Sequence, residues 1–299
     1  MKRLLLLYYT GTYNTRLLAK EIAKSLSDEY EVTSIEIDSK TEAVSLSDYD
    51  VIGLGYPIYA FNAPSFFIKY LKKLKFDASK SYFIFKDSGE SFRMNNASSR
   101  RIIKLFKKNR IKDYSEYHFL LPYNIHFKFA DAFVYQLIQE DKKLLAVLKS
   151  DLKTGTNRHL KSNIFYNLAS KVLRIQAFGG YLNSFFYKVD KKKCIDCDLC
   201  INSCPVGNIY KKKGKIKFKH HCLMCMRCSF YCPKDAISIG LLNSWRVNGA
   251  YDFKNILNND SLKDIDYVSK QKDFFYKCYP ATFKHIDEMY NEITKENEK

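Results

Sequence analysis

Eight of the chain's nine cysteines lie between residues 194 and 232, in two runs with the same spacing. Cys194, Cys197, Cys200 and Cys204 reappear 28 positions later as Cys222, Cys225, Cys228 and Cys232, and Pro205 and Ile209 reappear as Pro233 and Ile237. A C-x₂-C-x₂-C loop is short enough to place three thiolates on one iron–sulfur cube. The fourth cysteine, three residues on and followed by proline, is turned toward the other cube. The spacing therefore predicts two [4Fe–4S] clusters with crossed ligation. One would take Cys194, Cys197, Cys200 and Cys232, the other Cys222, Cys225, Cys228 and Cys204. Zinc is the alternative, but it is usually held by separated cysteine pairs, and two triple-cysteine runs each ending in Cys-Pro suit it poorly. The ninth cysteine, Cys278, reads as a buried or idle thiol, and His220 and His221 as turn residues.

The wider composition limits the setting of this chemistry. A disulfide framework is disfavoured because the cysteines cluster in one short stretch of a 299-residue chain without an export signal. The opening "MKRLLLLYYTGT" loses its apolar character at Thr10, short of a secretion signal, and no apolar run is long enough for a membrane span, so the expected location is cytoplasmic. Fifty Lys and Arg against 32 Asp and Glu give a net charge of +18. Such a surface suits nucleic acid, anionic lipid or an acidic protein partner, or is a lysine-rich composition spread over solvated faces, and neither a recognition helix nor an RNA-binding signature supports nucleic acid. Between the two cysteine runs, "KKKGKIKFKHHC" alternates Ile216 and Phe218 with lysines, which predicts a hairpin with one packed and one cationic face.

The elements around the repeat form two groups. Over the first 180 residues, short apolar runs (3–9, 31–37, 50–56, 81–86, 117–124) alternate with helical patterns (14–29, 63–74, 97–109, 130–150, 160–183). Strands alternating with long helices imply a doubly wound parallel sheet, in which ligands bind beyond the carboxyl ends of the strands. The loops after residues 9, 55 and 86 are therefore the informative ones. Residues 190–240 contain little apolar material and would need metal to hold a fold. The segment after 241 carries no motif and reads as helical over about 281–297.

Residues 188–240 resemble bacterial two-cluster ferredoxins, with both cysteine motifs complete. The loop Thr10-Gly11-Thr12-Tyr13-Asn14-Thr15 resembles the phosphate loop of flavodoxins, with Tyr13 where glycine is usual. "GLGYPIYAFNAP" resembles the flavodoxin loop beside the isoalloxazine ring, and "KDSGES" stands where the opposite flanking loop should be. The resemblance implies a flavodoxin-like sheet with a site for flavin mononucleotide formed by residues 10–15, by Pro57, Ile58, Tyr59, Ala60 and Phe61, and by Asp87, Ser88 and Gly89. A side chain at Tyr13 would stack on such a ligand, crowd it or face solvent. Without flavin, the first domain would serve as a docking scaffold.

The expected architecture is thus a flavodoxin-like domain over 1–183, a small α+β two-cluster ferredoxin domain over 184–240 and a C-terminal tail over 241–299. The whole resembles a family of anaerobe ferredoxins with a flavodoxin-like N-terminal region. That resemblance implies an electron-transfer protein serving redox partner proteins, with no catalytic residues of its own. The alternative is a flavin-dependent reductase with a substrate pocket lined by Tyr56, Tyr59 and Phe61.

Overall fold

The computed structural model describes residues 1–174 and 176–297. The first half opens with the leucine-rich β1 (Lys2–Tyr8), followed by α1 (Asn14–Leu26) and β2 (Tyr30–Glu36). Next come β3 (Val51–Pro57), α2 (Ser65–Leu71), β4 (Ser81–Ser88), α3 (Arg100–Lys108), β5 (Tyr114–Leu120) and α4 (Asp131–Thr154). The five strands form one parallel sheet in the order β2-β1-β3-β4-β5. This is the doubly wound order of flavodoxin-like folds, whose switch point lies between β1 and β3.

Alternation along β1 builds both layers. Leu4, Leu6 and Tyr8 pack under α1 and α4 with Leu18, Ile22, Leu144 and Leu148. Leu5, Leu7 and Tyr9 face α2 and α3 with Phe67, Ile68, Ile102 and Phe106. Of the helix expected over 160–183, the structure shows α5 (Ile164–Leu173) and α6 (Gln176–Asn183), with residue 175 outside the described residues.

The cysteine repeat folds as a structural repeat as well. It runs β6 (Tyr187–Val189), α7 (Leu199–Asn202), β7 (Ile209–Lys212), β8 (Lys215–Phe218), α8 (Arg227–Phe230) and β9 (Ile237–Ile239), with β6 paired to β9 and β7 to β8. Each element of the first copy falls 28 residues before its counterpart. The backbone obeys the same rule. Asp196 and Met224, Asp198 and Met226, and Gly207 and Asp235 all adopt positive φ, between 48° and 60°. Ile216 and Phe218 of the hairpin are half-buried while Lys215 and Lys217 are exposed.

The last segment closes the molecule. After α9 (Phe253–Leu257), the long α10 (Tyr279–Asn297) lies along α4. Ile286 and Ile293 enter the sheet's core, and Tyr279 and Phe283 join a second cluster that also takes in Phe230 of α8. The segment read as a tail therefore buries apolar surface from both preceding parts.

Candidate functional site

The eight clustered cysteines are free thiols gathered around two adjacent pockets. Cys194, Cys197, Cys200 and Cys232 line one, beside Val189, Ile195 and Ile237. Cys204, Cys222, Cys225 and Cys228 line the other, beside Ile209, Phe218 and Met226. Cys228 also borders the first pocket, so the two share a wall. Among the described residues, no three His, Cys, Asp or Glu converge in a way that suits a single metal ion. The thiols instead ring a wider space with apolar walls.

The positive-φ residues explain how short loops achieve this. Successive right- and left-handed backbone conformations turn amide groups inward and form an anion-binding concavity of the kind used in iron–sulfur sites. Amides already point at sulfur: Asn208 N donates to Cys204 Sγ at 3.2 Å, Ala236 N to Cys232 Sγ at 3.2 Å and Met224 N to Cys222 Sγ at 3.3 Å. The first two are counterparts in the repeat. Donor chemistry, backbone and apolar walls together fit an iron–sulfur group. His221 bonds the Val206 carbonyl through Nε2 (3.0 Å) and His220 stacks on Phe185, so neither enters a pocket. Cys278 lies apart, its thiol donating to the Phe275 carbonyl at 3.2 Å.

The two pockets differ in surroundings. Cys197 of the first is exposed. The second lies at the switch point of the sheet. Burial pushes the Cys225 thiol up, opposed by the nearby Arg227 guanidinium. Cys222 Sγ stands 3.9 Å from Tyr187 Oη.

The three loops expected to hold flavin do converge at the carboxyl ends of β1, β3 and β4, where each makes contacts within the protein. In the first, Arg227 donates from Nε to the Gly11 carbonyl (2.5 Å) and from Nη2 to the Thr10 carbonyl (2.7 Å). Tyr231 Oη donates to the Thr12 carbonyl at 2.8 Å, and the Thr12 hydroxyl accepts from Asn124 Nδ2 at 2.7 Å. Asn14 Nδ2 donates to the Pro122 carbonyl at 2.8 Å, and Thr15 Oγ1 to Asp87 Oδ1 at 2.6 Å. Only the Thr10 hydroxyl among these side chains is buried without a partner. Tyr13 takes a left-handed conformation, φ 71°, at the position where glycine is usual. Its half-buried ring contacts the guanidiniums of Arg16 (4.0 Å) and Arg227 (4.5 Å).

The second loop follows Pro57. Ile58 N donates to the Asp87 carbonyl at 2.8 Å, and Ala60 and Phe61 both have positive φ in the turn. A Cβ on Gly11 would strike Tyr59 Oη and lie 3.3 Å from the Cys225 carbonyl. In the third loop, a Cβ on Gly89 would strike the Tyr123 ring, and Tyr279 donates to the Gly89 carbonyl. Ser88 Oγ bonds the Glu90 carbonyl (2.7 Å) and His118 Nε2 (2.8 Å). Burial raises the Asp87 carboxyl to about 7, and the bond from Thr15 only partly offsets this. Tyr59, Tyr123 and the Cys222–Cys228 loop thus pack closely against the glycines of these loops. Tyr56, expected to line a substrate pocket in the reductase alternative, is inside the core, bonded to Ser98 and Ser99 at 3.1 Å each.

The contact partners Arg227 and Tyr231 were not legible as site residues. One signal was present: Arg227 occupies the repeat position held by Leu199 in the first copy. It is buried, and it also lies 3.5 Å from Glu36 and bonds the Ser203 carbonyl at 2.9 Å.

Comparison with known proteins agrees with this division. Residues 187–210 match the family described as 4Fe–4S binding domain. Over 51 residues, 17% of the chain, the sequence is 45% identical to pyruvate synthase subunit PorD of Methanothermobacter marburgensis, and it spans 60% of that relative's length. Among solved structures, a short-chain flavodoxin associated with a non-canonical PDU bacterial microcompartment covers 52% of this chain and 100% of its own, at 20% identity and TM-score 0.38. Flavodoxin 1 of Bacillus cereus covers 48% of this chain and 97% of its own, at 18% identity and TM-score 0.33. The strand order, rather than these low scores, identifies the sheet. No helix among the described residues is long and apolar enough to cross a membrane. The chain joins a flavodoxin-like sheet to an iron–sulfur segment similar to 4Fe–4S ferredoxin domains.

Proposed function

We propose that the protein carries single electrons through two [4Fe–4S] clusters. One is held by Cys194, Cys197, Cys200 and Cys232, the other by Cys204, Cys222, Cys225 and Cys228. The observation that carries this reading is the grouping of the thiols around two pockets, each drawing its fourth cysteine from the opposite copy of the repeat. Adjacent pockets sharing the Cys228 wall suit electron passage from one cluster to the other. The exposed Cys197 makes the first cluster the contact point for partners.

The partner is a redox protein with an acidic docking face. Lys212, Lys213, Lys215 and Lys217 are exposed on the hairpin. Lys211 on the same hairpin is paired with Asp196 and Asp198, which flank Cys197, at 2.9 and 2.7 Å. A cationic hairpin beside the outer cluster would steer an acidic partner toward it.

Flavin mononucleotide is a second, conditional cofactor. The unpartnered Thr10 hydroxyl and the first-turn amides of α1 favour a phosphate there. Thr10, Gly11, Thr12, Tyr13, Asn14 and Thr15 would hold it, with Arg227 and Tyr59 packed against the same loop. Flavin would add the ability to accept electron pairs.

The test is the anaerobic visible spectrum of the purified protein with iron, sulfide and flavin quantified. About eight iron and eight sulfide per chain are expected from two cubes. Zinc in place of iron would contradict the proposal.

A further inference from the structure

Two tyrosines of the flavodoxin-like sheet end against the cysteines of the iron–sulfur segment. Tyr9 follows β1 and Tyr59 lies two residues after β3, so both leave the carboxyl ends of neighbouring strands at the switch point. Their rings meet edge to face with centroids 6.3 Å apart. Both hydroxyls are buried, and neither makes a hydrogen bond of normal geometry. A buried hydroxyl left in that state costs about 1–3 kcal/mol, so native structures nearly always supply an acceptor.

Cys225 lies beside the two tyrosines. Tyr59 Oη and the Cys225 carbonyl and Cβ crowd the same side of Gly11, which is why a Cβ at that glycine would meet all three. The Tyr9 hydroxyl comes within reach of the Cys225 side chain. A neutral thiol is a weak acceptor, whereas a cluster thiolate carries negative charge and accepts strongly. We propose that Tyr9 and Tyr59 donate hydrogen bonds to the cluster sulfur at Cys225, so that the flavodoxin-like sheet sets the reduction potential of the second cluster. The inference rests on the two-cluster reading above.

The arrangement is one-sided. Tyr187, within the iron–sulfur segment itself, adds a third hydroxyl beside Cys222 of the same set. The phenol beside the first set is Tyr231, and its hydroxyl is committed to the Thr12 carbonyl. Hydrogen bonds to cluster sulfurs stabilise the more negative, reduced state and raise the potential. The second cluster should therefore be reduced before the first, and electrons entering near Cys197 should move inward.

The experiment uses the full-length protein purified anaerobically, with iron and sulfide measured first. About four or fewer iron per chain would overturn the two-cluster reading itself, separately from the role of the tyrosines. Tyr9→Phe, Tyr59→Phe and the double variant are then titrated by EPR-monitored reduction, with Cys225→Ser identifying the second cluster's signal. The expected result is one couple in the double variant weakened about tenfold in electron affinity, equal to 59 mV for a one-electron step, with the other couple unmoved. Unchanged potentials, or equal shifts of both couples, would overturn the proposal. Electron–nuclear double resonance on reduced protein in H₂O and D₂O, compared between wild type and the double variant, gives a second readout. Loss of exchangeable couplings at the second cluster in the double variant supports the proposal, and couplings identical to wild type overturn it.

Discussion

The Arg227 guanidinium lies 4.5 Å from the centroid of the Tyr13 ring, and each residue is the point where its segment leaves its own pattern. Tyr13 stands where the flavodoxin phosphate loop has glycine, and Arg227 where the first copy of the cysteine repeat has Leu199. The two departures meet at the contact between the sheet and the iron–sulfur segment. Arg227→Leu, which restores the residue of the other copy, should therefore loosen that contact. Two buried carbonyls and Glu36 lose a charged partner, a loss of about 3 kcal/mol. The expected outcome is an apparent melting midpoint several degrees lower, with faster proteolysis around residues 10–15. An unchanged midpoint would mean that the contact contributes little.

The same residue bears on flavin. If the docked segment blocks the loop, Arg227→Ala should bind flavin mononucleotide at least about tenfold more tightly than wild type, a difference of roughly 1.4 kcal/mol. Riboflavin, which lacks the phosphate, should not share the gain. An anaerobic fluorescence titration decides the matter. Tight stoichiometric binding by wild type with both clusters in place would contradict the block.

Crossed ligation makes a selective prediction. Cys232→Ala should damage the cluster whose other ligands are Cys194, Cys197 and Cys200, although Cys232 follows Cys222, Cys225 and Cys228 in the chain. EPR comparison with Cys225→Ser distinguishes the two clusters. Loss of the Cys225-dependent signal alone in Cys232→Ala would reverse the assignment.

Asp87 predicts a pH dependence with a definite sign. Burial raises its carboxyl from 3.8 to about 7, so the folded protein holds the proton more tightly than the unfolded chain. Between those values the unfolded state has lost the proton and the folded state has not, and stability falls as pH rises until the folded group ionises near 7. Asp87→Asn keeps an acceptor for Thr15 and cannot ionise. Its stability relative to wild type should grow by about 2–3 kcal/mol from pH 5 to pH 8, as followed by urea unfolding. A flat difference would show that Asp87 is already ionised at low pH or is solvated.

Much of this was readable from sequence wherever local chemistry decides structure. The 28-residue displacement of the cysteines is matched by the helices, the strands and the positive-φ positions. The alternation in the leucine-rich first strand matches the two-sided core. Long-range placement was less legible. The amphipathic pattern near 281–297 does not say which surface its apolar face covers, and that surface is α4. For the loops at 57–61 and 87–89, a side chain's type does not reveal that Tyr59 turns toward Gly11 or that Tyr123 covers Gly89.

The lysine hairpin should govern partner encounter. Reversing Lys212, Lys215 and Lys217 to glutamate should slow electron transfer to an acidic acceptor and flatten its dependence on ionic strength, without moving either reduction potential. Stopped-flow reduction of such an acceptor across a salt series checks this. Rates that stay the same would place the docking surface elsewhere.

Chelation should act locally. The iron–sulfur segment has only small apolar clusters around Tyr187, Met224 and Ile239 and around Cys200, Ile209 and Ile237. Removing iron should abolish hydrogen-exchange protection in β6 to β9 and leave the five-stranded sheet protected. Simultaneous loss of protection in both parts would mean that the sheet depends on the clusters.

The central claim is electron passage through two clusters in one chain, and the most direct measurement is spin quantitation by EPR during stepwise anaerobic reduction. Two one-electron steps are expected, ending in about two spins per chain with the broadening produced by neighbouring paramagnetic [4Fe–4S] clusters. A single step reaching about one spin, or a chain that takes up no electrons, would contradict the account.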